Sequence, residues 1–154
     1  MSVLRQTNEK ASKKLELYRI CEGYTILAVY LFGSMANEGV ALLDNKLSVN
    51  LDPLADLDVG VVFLQAVSDP KERVTLYKKL YSDLSDLFSP LSLDLVFLQE
   101  TGVIFQSEAI NGQLIYSRDD DQRTDYEERV IKFYQDWKPV YDQYTNEVLE
   151  AIRP

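Results

Sequence analysis

The chain contains no histidine and one cysteine, Cys21, among its 154 residues. The first absence removes Ser-His triads, Cys-His dyads and the commonest metal ligand together. The second excludes an internal disulfide and a cysteine-built zinc site. Glycine and proline are sparse, with 6 and 5 copies, and 46% of the residues are apolar, which fits a globular chain and not a disordered one. No apolar run approaches the ~20 residues that a membrane span requires. Residues Met1 to Lys14 are polar and lack the apolar block of a secretion signal, so the cytoplasm is the expected location. Basic residues are also in deficit: 16 Lys and Arg against 25 Asp and Glu give a formal charge of −9. A broad phosphate-binding surface for DNA or RNA is therefore excluded. Carboxylates, hydroxyls, a few lysines and arginines, and backbone amides remain. That set suits magnesium.

Carboxylates do stand where hydrocarbon is expected. In Asp56-Leu57-Asp58-Val59-Gly60-Val61-Val62-Phe63 the strand period of two sends Asp56 and Asp58 to one face. Leu57, Val59, Val61 and Phe63 take the other. The run Leu91 to Leu98 likewise carries one charge, Asp94. A buried carboxylate without a partner is costly, and a divalent cation shared by two strand acids is one such partner. Upstream, the apolar run Thr25 to Phe32 ends in Gly33-Ser34. Glycine after a strand lets backbone approach a ligand closely, and a helix start beyond it offers free N–H groups to phosphate. If the strands are neighbours, the acids converge, and a phosphoryl-transfer site follows.

The remaining periodicities give a single domain, with a core over about residues 24–117 and a helical segment over about 121–153. Leu4, Ala11, Leu15, Tyr18 and Cys21 recur at helical spacing, with Gly23 as the stop. The Thr25 to Phe32 strand is uniformly apolar, so it should be covered on both faces. Ser34 to Glu38 begins a short helix that Val40 to Leu43 extend, inside a long connection from Met35 to Ala55. Asp69-Pro70-Lys71-Glu72 reads as an N-cap with proline at the first helical position. The helix it opens presents Val74, Tyr77, Leu80, Tyr81, Leu84 and Leu87 on one face and stops at Ser89-Pro90. A short helix over Gly102 to Asn111, an edge strand over Gln113 to Tyr116 and a charged helix start at Arg118 to Asp121 follow. The last segment carries Tyr126, Val130, Tyr134, Trp137, Tyr141, Tyr144, Val148 and Ile152 at steps of three and four, with a bend expected at Lys138-Pro139. Aromatic anchors with polar tips are frequent at interfaces, so part of this stripe is expected to contact a partner or a second subunit.

Gly33-Ser34, Asp56-x-Asp58 and the lone Asp94 resemble the signature of the DNA polymerase β-like nucleotidyltransferase superfamily. In size the chain is most similar to its minimal nucleotidyltransferases (MNT), and the resemblance covers roughly Tyr24 to Leu98. Leu114-Ile115-Tyr116 and Tyr134-x-Asp136-Trp137-Lys138-Pro139 look like the C-terminal part of MNT antitoxins. The resemblance implies an α/β fold, a small mixed sheet with helices packed on it. It also implies Mg2+ or Mn2+ held by Asp56, Asp58 and Asp94, with ATP phosphates at Gly33 and Ser34. The implied activity is transfer of a nucleoside monophosphate, AMP, to an acceptor hydroxyl, with Asp56, Asp58 and Asp94 catalytic. The implied acceptor is a tyrosine of a HEPN toxin. The alternatives are a small-molecule (antibiotic) hydroxyl, or neutralisation of a partner by contact without catalysis. The chain departs from the pattern in three places. Leu42 to Pro53 reads as an insertion, Ala55 precedes the first acid where serine is common, and Met35 and Asn37 occupy frequently basic positions. Lys78 and Lys79 fit an exposed helix face better than a replacement. Asp44 to Ala55 has the length of an EF-hand loop but lacks its glycine at position six and glutamate at position twelve.

Overall fold

The computed structural model describes the backbone of residues 2–47 and 53–153, and the side chains within them from residue 13 onward. The expected insertion over Leu42 to Pro53 and the segment Asp44 to Ala55 thus fall in part outside the described residues, as do the side chains of Leu4 and Ala11. Among the described residues, α-helices and strands follow in the order α1 (Ser2–Gly23), β1 (Ile26–Phe32), α2 (Ala36–Leu43), β2 (Leu57–Phe63), α3 (Pro70–Phe88), β3 (Leu93–Phe97), α4 (Val103–Ile110), β4 (Gln113–Ser117) and α5 (Asp120–Ile152), with a 3-10 turn at Leu98–Glu100. The strands form one mixed sheet in the order β3-β2-β1-β4. β1 is antiparallel to both β2 and β4, while β2 and β3 are parallel. The parallel pair needs a crossover, and α3 supplies it.

Helices cover both faces. Leu17, Ile20 and Cys21 of α1, Leu42 and Leu43 of α2, and Leu80, Leu84 and Leu87 of α3 pack on the face that carries Leu57, Val59 and Val61. Ala109 of α4 and Tyr126 and Val130 of α5 pack on the face of Ala28, Tyr30, Phe32 and Val62. β1 lies between these layers with all seven residues buried, as its unbroken apolar run predicts. It starts one residue later than expected because Thr25 sits at φ 53°, in the left-handed region, where a strand cannot continue. Asp69 caps α3 by accepting the Lys71 N–H at 3.0 Å, with Pro70 at the first position.

Two readings of helix faces change. α1 turns Leu17, Ile20 and Cys21 inward and leaves Leu15 and Tyr18 about half exposed, at 46% and 53%. The reason lies in the sheet below. The α1 contact is made over buried β1, while Tyr18 reaches sideways to meet the Tyr116 ring edge-on at 6.1 Å. In α3, Val74 and Tyr81 flank the buried row of Leu80, Leu84 and Leu87 and stay exposed. α5 continues as one helix through Pro139 to Ile152, but its buried residues are Tyr126 and Val130 alone. Arg118 ties this layer to α1, donating to the carbonyls of Cys21 at 3.0 Å and Ile26 at 2.8 Å and to the Glu22 carboxylate at 3.0 Å.

Candidate active site

The sheet register brings the two strand acids together. Asp94 is the parallel partner of Asp58, and Asp58 is the antiparallel partner of Phe32. Asp94, Asp58 and Phe32 therefore form one row across three strands. Alternation places this row on the face covered by α4 and α5, opposite Leu57, Val59, Leu93 and Leu95. Asp56 stands just before β2, two residues from Asp58, and is exposed.

The backbone closes on this row from the β1 side. Gly33 follows Phe32 at φ +74°, a conformation that side chains rarely adopt, and a Cβ there would collide with the Asp58 Oδ2 atom. Only glycine lets the turn pass so near the carboxylate. Ser34 comes next, exposed in the same turn. Met35 holds the N-cap position of α2 and makes no side-chain capping bond. An uncapped helix start keeps backbone N–H groups for a ligand. Met35 itself is buried in the core, so it packs as hydrocarbon and brings no charge to the turn.

Electrostatics mark the row as incomplete on its own. The Asp58 carboxyl is raised above its ordinary pKa, first by burial, then by the negative charge of Asp94 and a hydrogen bond shared with it, and last by Asp56. Among the described residues no Lys or Arg forms an ion pair with Asp58 or Asp94. No three His, Cys, Asp or Glu side chains among the described residues gather into a ready metal cage. The arrangement is instead an open pair, Asp58 and Asp94, with Asp56 beside it. Oxygen donors of one charge on an open surface fit a hard divalent cation that keeps water and substrate phosphate as its other ligands.

Sequence reasoning missed two polar side chains. Tyr77 of α3, read as a packing residue, donates its hydroxyl to the Leu95 carbonyl at 3.1 Å, and its pKa is raised by burial and then by the charge of Asp94. Glu38, in the first turn of α2, keeps one carboxylate oxygen buried without a hydrogen-bond partner. No sequence pattern distinguished either residue. Lys78 and Lys79 lie on the exposed side of α3.

A family model described as Polymerase beta, Nucleotidyltransferase matches residues 15–121, more than half of the chain. No curated protein matches. Among solved structures, the chain is similar to one from a toxin-antitoxin with AMP-PNP, at 18% identity and TM-score 0.61, covering 88% of this chain and 98% of that one. It is similar also to a chain from a tri-AMPylated Shewanella oneidensis HEPN toxin in complex with MNT antitoxin. There the identity is 17% and the TM-score 0.58, with 91% and 98% of the two chains covered. A third, from the toxin-antitoxin MntA-HepT, shares 16% identity at TM-score 0.57, with 90% and 98% covered. These likenesses establish the fold, and the family match extends across both acids and the Gly33 turn. The chain belongs to the polymerase beta nucleotidyltransferase family.

Proposed function

We propose that this chain is a metal-dependent nucleotidyltransferase that moves AMP from ATP to a tyrosine hydroxyl of a HEPN toxin, and thereby acts as its antitoxin in the cytoplasm. The observation that carries the reading is the in-register Asp58–Asp94 pair beside the Gly33 turn. The names of the structural neighbours, an AMPylated HEPN toxin with MNT antitoxin among them, support the choice of nucleotide and acceptor.

In this reading Asp56 and Asp58 hold Mg2+ or Mn2+, and Asp94 completes a second metal position. The cation, when bound, neutralises charge that develops on the phosphate oxygens. Gly33 and Ser34 hold the terminal phosphates through backbone N–H groups and the Ser34 hydroxyl. Asp94 takes the proton of the acceptor hydroxyl as its oxygen bonds to the α-phosphorus. The bond from that phosphorus to the β-phosphate oxygen breaks, and pyrophosphate leaves. Asp94 suits this part because it sits exposed at the edge strand β3, reachable by a large acceptor. The raised Asp58 carboxyl is the site's cation-seeking group, since a divalent charge offsets the repulsion that raises it.

A second reading keeps the fold and the partner but not the chemistry, with the chain neutralising the toxin by contact. The buried Met35 and the uncharged Asn37 after the glycine turn favour it, because neither supplies a cation to the triphosphate. Incubation with α-labelled ATP, Mn2+ and the HEPN protein separates the two. Label on a toxin tyrosine supports transfer. A stable complex that takes up no label, with or without metal, sinks the enzymatic reading.

A further inference from the structure

α5 is much longer than the surface it covers. Its 33 residues span about 50 Å at 1.5 Å per residue, yet only Tyr126 and Val130 are buried. Beyond Val130 the apolar positions continue on the same helical face, since Phe133, Trp137, Tyr141, Tyr144 and Val148 keep steps of three and four. Phe133, Tyr144 and Ile152 are 63%, 64% and 70% exposed. Trp137 and Tyr141 stack with ring centroids 4.5 Å apart, which makes a flat aromatic step in the middle of this face.

The stripe does not end in isolation. Trp137 shares a largely apolar hollow of about 380 Å³ with Gly102, Val103, Ile104, Phe105 and Glu108 in the first part of α4. Phe105 in turn meets Phe32 edge-on, with centroids 5.4 Å apart. Phe32 is the strand partner of Asp58. An apolar track thus runs from the free end of α5 to Trp137 and Phe105, and Phe105 rests on the buried Phe32 ring of the acid row.

We propose that this track is the docking surface for the protein acceptor, which lays an amphipathic helix with an apolar row flanked by Lys or Arg along α5. The proposal rests on the transferase reading and adds where its acceptor sits. Proximity to the acid row argues for the acceptor, because the hollow at Trp137 is one ring contact from Phe32, the strand partner of Asp58. Charge selects its chemistry. The exposed part of α5 carries Asp136, Asp142, Glu147 and Glu150 against Lys132, Lys138 and Arg153, with Glu108 in the adjoining hollow, on a chain of net charge −9. A second copy would bring a net charge of −9 against the same charge, whereas a basic-flanked helix complements it.

Trp137 is the single tryptophan of the chain and stands at the junction, so its emission reads occupancy directly. The probes are two designed 22-residue amphipathic peptides free of Trp and Tyr, with Leu in the apolar row and either Lys or Glu on the flanks. Titrated into the full-length protein, the Lys-flanked peptide should shift Trp137 emission to the blue in a saturable manner. Its apparent affinity should exceed that of the Glu-flanked peptide at least tenfold. The double variant Tyr144→Glu/Val148→Glu should weaken it at least tenfold with an unchanged helical circular dichroism spectrum. Unmoved emission, equal response to both peptides, or a shift driven by protein concentration alone overturns the proposal, the last by assigning the track to a second copy. The melting-temperature response to Mn2+ with ATP reads the acid site separately. A chain that binds the peptide without that response retains the docking surface and loses the transferase reading, and the converse result does the opposite.

Discussion

Replacing Asp58 by asparagine should stabilise the protein when divalent metal is removed. Asp58 and Asp94 are partners in a parallel pair, whose strands lie ~4.8 Å apart, and both project to the same face. Two like charges about 5 Å apart repel by about 3 kcal/mol at an effective dielectric of ~20 and by about 1 kcal/mol in water. Asp94 is exposed, so screening holds the effect near the lower figure. For a chain of this size about 1 kcal/mol corresponds to a melting shift of roughly 2–4 °C. The sign with pH follows from the raised carboxyl. The unfolded chain releases this proton near pH ~3.9, while the folded chain holds it to higher pH because of burial and then Asp94. Folding stability from this group therefore falls as pH rises from the unfolded to the folded pKa, and the penalty is complete above the latter. In EDTA, Asp58→Asn should melt above the wild type at pH 7.5, and the gain should vanish toward pH 3.5. With Mn2+ the order should reverse. Metal at about a hundred times its dissociation constant adds about 2.7 kcal/mol to a chain that binds it only when folded, and the variant lacks the site. Thermal scans at two pH values, with and without metal, check all four cases. A variant that melts below wild type in EDTA at pH 7.5, or that gains as much from Mn2+, refutes the reasoning.

Three further outcomes are expected. Gly33→Ala places a Cβ against the Asp58 carboxylate at positive φ, so it should lower the melting temperature by an amount equivalent to about 1 kcal/mol and abolish the Mn2+ response; a normal response would separate the turn from the site. Asp94→Asn should retain the nucleotide-dependent melting shift but lose about 10²–10⁴-fold in single-turnover label transfer, and near-native turnover would remove Asp94 from proton transfer. A chain ending at Trp137 keeps Tyr126 and Val130, the buried residues of α5, and should melt within a few degrees of the full-length protein; cooperative unfolding lost on truncation would make the distal helix part of the core.

The acids of the candidate site were legible because charge interrupts hydrocarbon. Asp58 and Asp94 each stand in a run whose other members are apolar or glycine, and strand periodicity alone assigned their face. Their pairing was not legible, because a parallel register depends on how α3 spans the sheet and not on either strand's own pattern. Helix faces were read less well than strands. In α1 the candidates Leu15 and Tyr18 were as apolar as the true anchors Leu17 and Ile20, and only the shape of β1 beneath decides between them. Tyr77 was seen as an apolar body, and the chemistry of its hydroxyl appears only when β3 lies beside α3. Gly33 was readable as a turn. That its missing side chain makes room for Asp58 required the fold.

The position of the acids also bears on what they act upon. Two sizeable hollows among the described residues lie elsewhere: one of about 600 Å³ is lined by Tyr24, Thr25 and Phe63, and another of about 560 Å³ by Leu27, Phe63 and Arg129. Phe63 is the last residue of β2 and Asp58 its second, so these hollows flank the opposite end of the strand. A site that encloses a small acceptor buries most of it in a concave pocket. The acid row instead lies open beside Gly33 and Ser34, with the β3 edge exposing Asp94. An open row orients its acceptor poorly unless a separate surface holds that acceptor, and orientation accounts for much of the rate of a bimolecular transfer. The apolar face of α5 supplies such a surface at the same side of the sheet. On the proposed transferase reading, a macromolecular acceptor, held at a distance from the chemistry and presenting one hydroxyl to it, therefore suits this molecule better than an antibiotic would.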